Sequence, residues 1–79
     1  MKKYAPQVGD VLLLEHSVEG IPVSGMVYVL VEVSDGHGVV AIARADSAGL
    51  YANHLTYTIG RDVLDEAFTE TGKKARLEK

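Results

Sequence analysis

Cysteine and tryptophan are absent from this chain, phenylalanine occurs once, and proline occurs twice in 79 residues. Without cysteine there is no disulfide, no thiol nucleophile and no thiolate metal site. A chain of this length makes one domain, spanning 1–79. Folding at that size buries only roughly 60–65% of the surface the unfolded chain exposes, so stability is marginal. The supports that remain are tight packing and self-association, and a 47% hydrophobic composition suits both. Long hydrophobic runs are missing too. The least charged stretch, 20–31, is interrupted by Pro22, Ser24 and two glycines and is too short to span a bilayer. The first residues are basic but reach Pro6, Gly9 and Asp10 before any apolar stretch, which is not the pattern of a secretory signal. The expectation is a soluble cytoplasmic protein with no membrane partner.

Basic residues are scarce in the body of the chain. Between 4 and 72, ten acids face only Arg44 and Arg61, a charge of −8. The ends, 1–3 and 73–79, hold six bases and one acid, a charge of +5, and read as short basic tails. The two parts sum to the chain's −3. An acidic globule favours basic partners and repels a nucleic-acid backbone.

The apolar pattern is mostly that of strands. Gly9 and Asp10 introduce a first strand at 11–16, and 17–25, with Gly20, Pro22 and Gly25, reads as a loop. The strongest strand signal is 26–34. Val27, Val29, Val31 and Val33 alternate with Met26, Tyr28 and Leu30, so both faces are apolar and both need cover. Asp35, Gly36, His37 and Gly38 form a turn, and 39–45 returns antiparallel. On that return Ala41, Ala43 and Ala45 make a row of small side chains, against which the helix is expected to pack. A second turn at 46–49 leads through an ambiguous 50–53 to a strand at 54–59, rich in β-branched and aromatic residues. The spacing of Val63, Leu64, Ala67, Phe68 and Thr71 predicts a helix over 61–71, ended by Gly72. The expected fold is mainly β (α+β): a small antiparallel sheet, or SH3-like half-barrel, of four to five strands with one C-terminal helix. It resembles SH3-like folds in strand number and size only.

Catalytic patterns are not found. Ser17, Ser24, Ser34 and Ser47 lie in turns or at strand ends, without a nucleophile-elbow motif. Ser17 follows His16, and neighbours on a strand point to opposite faces. His16, His37 and His54 lack metal-ligand spacing, so neither a metal nor a cofactor is expected. Gly36-His37-Gly38 is too short to cradle a phosphate. The chain reads as no enzyme.

Two binding patterns remain. Asp62, Glu66 and Glu70 stand at i, i+4 and i+8 of the expected helix, with Asp65 beside them. Asp62 complements the helix dipole. Glu66 and Glu70 have no such reason, and like charges four apart cost roughly 0.2–0.5 kcal/mol per pair. The stripe is therefore read as a docking surface for Lys or Arg of a protein partner. Proteins of this size and charge encoded by phages or mobile elements serve as inhibitors or modulators of host enzymes, and an interaction module of that kind is the expected function. The alternative is a small SH3-like barrel binding single-stranded nucleic acid, with Tyr28, Tyr51 and Tyr57 stacking on bases and Lys73, Lys74 and Arg76 meeting phosphates. A third reading is a ligand site formed only between subunits. The doubly apolar strand 26–34 predicts a homodimer, unless the sheet closes on itself.

Overall fold

The most strongly alternating segment forms the middle of the sheet. In the computed structural model, which describes residues 6–21 and 26–77, the chain runs through β1 (Asp10–Leu14), β2 (Val27–Val33), β3 (His37–Asp46), β4 (Gly49–Gly60), α1 (Arg61–Ala67) and β5 (Phe68–Lys74). The order across the sheet is β4-β3-β2-β1-β5, with every pair antiparallel. The mainly β expectation holds: this is an open five-stranded sheet with one short helix near the C-terminus. The sheet curls until its two ends meet at one place. Beyond β5, Arg76 forms a parallel bridge with Tyr51 of β4. There the Ala52 N–H donates to the Arg76 carbonyl at 2.9 Å, and the Arg76 N–H donates to the Leu50 carbonyl at 3.0 Å.

Curling gives the sheet two buried faces. The larger core gathers Leu12 and Leu14, Tyr28 and Leu30, Val40, Ile59, and Leu64, Ala67 and Phe68. Behind it a smaller core sets Val29 against Ala41 and Ala52, with Ala75 packed on them. Tyr28, Val29 and Leu30 are all fully buried by their own chain. Closure therefore supplies the cover on β2 that could otherwise have come from a second copy. The register shifts between Leu30 and Glu32, so Val33 packs with the larger core rather than sharing the face of Val29 and Val31.

The helix differs from expectation in length and in place. It ends at Ala67, and Phe68 is extended, with φ −117° and ψ 145°. Phe68 is buried edge-on against Tyr28, ring centroids 5.7 Å apart. Thr69 and Thr71, β-branched, then suit the strand better than a helix. The Glu15 N–H donates to the Ala67 carbonyl at 2.7 Å, anchoring the helix end to β1. Nor does the helix lie on the alanine row. Leu64 packs on the opposite face of β3, over Gly38, where an added Cβ would sit 2.9 Å from Leu64 Cδ2. The alanines instead admit the backbone beyond β5, through Ala75.

The C-terminal "tail" belongs to the sheet as far as the structure describes it. Glu70 lies opposite Leu12, yet Lys74 lies opposite Asp10, so β5 gains two residues on β1 across this interval. Gly72, at φ +86°, provides the left-handed turn that such a bulge needs. Lys2 and Lys3, the basic residues of the front tail, lie outside the described residues, as does Lys79.

Candidate functional site

The loop after β1 folds back on the core instead of standing off it. Ile21 is buried, its N–H donates to the Val18 carbonyl at 3.0 Å, and Val18 packs against the larger core. The loop is held facing α1, and between them lies a groove of about 380 Å³. Its floor is apolar: Val18, Val63 and Ala67. Its rim is polar and exposed: His16, Ser17, Glu19 and Glu66.

The four predicted acids have separate surroundings. Asp65 is paired with Arg61, whose Nε lies 3.4 Å from Oδ1. The Asp62 carboxylate turns back towards Gly60, the residue that caps the helix without a side-chain hydrogen bond. Glu66 lines the groove. Glu70 is not on the helix at all; it sits on β5, on the face shared with Leu12 and Phe68. A three-acid helical stripe therefore does not form. What forms is an acidic pair across the groove, Glu66 from α1 and Glu19 from the loop. Neither has an ion-pair partner among the described residues. Glu19 was missed in the sequence because it lies in a loop, far from the helix in number. Ile21, an apolar residue within that loop, was the available sign that the loop returns to the core.

The residues of the nucleic-acid alternative are dispersed. Tyr28 is fully buried and has no face to offer a base, which corrects its place in that set. Tyr57 is half-buried against the larger core. Tyr51 lies beneath the Arg76 guanidinium, 5.5 Å from ring centroid to Cζ. Lys74 is ion-paired with buried Asp10, whose other carboxylate oxygen accepts the Gln7 N–H at 2.8 Å. Arg76 donates to Asp46 at 2.6 Å. Of these bases, Lys73 alone is without a side-chain partner among the described residues. The positive charges that looked like tails thus neutralise acids of the body.

Asp46 carries a shifted carboxyl. Desolvation pushes it up, but the Ala48 N–H at 2.9 Å and the charge and hydrogen bond of Arg76 outweigh that and hold it below its ordinary 3.8. A carboxyl lowered in the fold adds stability that is complete above its unfolded value and lost as the pH falls through the folded one. The Asp46–Arg76 latch should therefore weaken below pH 3.8. Thermal melts of wild type and Arg76→Ala check this: the gap between them should narrow from neutral pH into acid. A gap that is constant or widens contradicts the electrostatic part of the latch.

The groove also brings a histidine and a serine together. Because β1 ends at Leu14, His16 and Ser17 both line it, although strand alternation would have separated them. No hydrogen bond joins them, and no carboxylate orients the imidazole among the described residues. Nor, among the described residues, do three or more His, Asp or Glu gather as a metal would need. No helix there is long and apolar enough to cross a membrane. An apolar floor between two carboxylates instead suits a Lys or Arg side chain, whose stem is hydrocarbon and whose head is cationic. Comparison with protein-family models, with curated proteins and with solved structures found no significant match.

Proposed function

We propose that this protein is a non-enzymatic interaction module that docks a basic side chain of a protein partner in the groove between the 15–21 loop and α1. The observation that carries the reading is the pairing of Glu19 and Glu66 across the floor of Val18, Val63 and Ala67. Asp62, one helical turn before Glu66, adds to the negative potential that steers a basic surface towards the groove, whereas Asp65 is balanced by Arg61. A module of this kind acts as an inhibitor or modulator when the basic surface it covers is another protein's working site. The partner is then an enzyme with an exposed Arg or Lys cluster, of the sort that handles nucleic acid.

Rim charges at interfaces contribute modestly, about 0.2–1 kcal/mol each when exposed. Reversing both doubles the change by turning attraction into repulsion. Glu19→Lys with Glu66→Lys should weaken binding of a fluorescent arginine-rich peptide about tenfold, a change of 1.4 kcal/mol. Anisotropy titrations at moderate salt measure it, with a single-stranded oligonucleotide of equal length in parallel. Peptide affinity that survives the double reversal removes the groove from the reading. Oligonucleotide binding tighter than peptide binding transfers the function to the nucleic-acid alternative.

A further inference from the structure

The two edges of the sheet are protected very differently. At one edge, β5 carries Glu70, Lys73 and Lys74 and is bent by the bulge at Gly72. Charge and irregularity are how proteins keep an edge from pairing with other strands. At the other edge, β4 is twelve residues long and contains no Asp, Glu, Lys, Arg or Pro. The Ala75–Arg76 segment covers this edge only near Leu50 and Ala52. From Asn53 to Gly60 the outer backbone groups have no strand partner among the described residues. Leu55 on the same stretch is 53% exposed, the most exposed large hydrophobic side chain among the described residues.

We infer that β4 is a self-association edge, and that its occupant is β4 of a second copy, paired antiparallel about a two-fold axis near Thr56–Thr58. The choice of a second copy rests on charge and on self-complementarity. A body this acidic repels another copy wherever acids face acids, and β4 is the longest strand free of them. Tyr57 lies opposite Val40 and packs with the larger core, so Leu55, Tyr57 and Ile59 share one face. Thr56 and Thr58 share the other, exposed face. A two-fold axis anywhere from Thr56 to Thr58 sets threonine beside threonine on that outer face. An axis at Thr56 sets Leu55 beside Tyr57 of the second copy and an axis at Tyr57 sets it beside Ile59, aliphatic and aromatic neighbours of the kind that stabilise cross-strand pairs. The register shift on β3 falls between Ala52 and Thr56, so the new ladder occupies the stretch from Leu55 to Ile59, centred on Tyr57. The groove lies off this edge, between α1 and the 15–21 loop, so a dimer presents two grooves.

Sedimentation over a concentration series up to millimolar, with amide hydrogen exchange at the two ends of the series, tests the inference. The mass is expected to rise from 8.5 kDa towards twice that value, with outward-facing amides within residues 55–59 gaining protection as it does. Thr56→Lys with Thr58→Lys places like charges across the axis and should return the protein to monomer. Its far-UV circular dichroism and melting show that it still folds. Thr69→Lys, on the charged edge, should leave the dimer intact. The inference is overturned by a protein that stays monomeric throughout. A dimer that survives the β4 lysines, or one that protects strands other than β4, overturns it equally.

Discussion

Leu64→Ala is expected to destabilise the fold by about 2–5 kcal/mol, the range for truncating a buried leucine to alanine. Leu64 is fully buried and is the main anchor of α1, which otherwise buries Ala67 alone. A helix of seven residues has no stability of its own, since isolated helices shorter than about 12–15 residues are marginal in water. The anchoring site is also unusually close. Gly38 leaves the space that Leu64 fills, so nothing on β3 can swing in to occupy the cavity. For a chain of 79 residues, total stability on the order of 4–12 kcal/mol is usual, so the substitution removes a large share of it. Denaturant unfolding followed by tyrosine fluorescence should show a much lower midpoint with an unchanged slope. A loss below about 1 kcal/mol would mean that the groove wall is held by something other than Leu64.

The ion pair between β1 and β5 comes next in size. Asp10 is 1% exposed, while its partner Lys74 is 58% exposed. The two residues therefore differ in what their loss leaves behind. In Asp10→Ala the Gln7 N–H loses its acceptor, but Lys74 turns to solvent at little cost. In Lys74→Ala the buried carboxylate keeps the Gln7 N–H but loses its counter-charge, and removing one partner from a buried polar group costs about 1–3 kcal/mol, more when the group is charged. Both variants should be destabilised, Lys74→Ala by about 2 kcal/mol within that range. Asp10→Ala combined with Lys74→Ala should be less unstable than the two losses added together, as expected for coupled neighbours. Denaturant curves for the three variants and wild type give this cycle directly. Additive losses would show that the pair is not coupled.

These two contacts also show where sequence reasoning worked and where it failed. Alternation placed β2 and β3 within a residue or two, because a central strand covered on both faces leaves an unbroken apolar record. At 63–71 periodicity misled. Val63, Leu64, Ala67 and Phe68 match one face of a helix, but the same buried set is also produced by a helix stopping at Ala67 and a strand starting with Phe68 pointing inward. The β-branched Thr69 and Thr71, followed by Gly72, were the signal for that strand. Charge counting along the chain failed for a different reason. Lys74 and Arg76 look like a tail in sequence, yet register sets them against Asp10 and Asp46, which are more than two dozen residues away, and register is invisible to composition. The groove was half legible. Glu66 stood out on the helix, whereas Glu19 became its counterpart only once Ile21 had drawn the loop onto the core.

Docking in that groove is the central claim, and a two-dimensional amide spectrum recorded during titration with an arginine-rich peptide tests it most directly. The account predicts progressive shifts centred on His16, Ser17, Val18 and Glu19 and on Val63, Glu66 and Ala67, shrinking as salt is added. Shifts centred instead on Lys73 to Arg76 and the β4 strand, or an unchanged spectrum at saturating peptide, would contradict it.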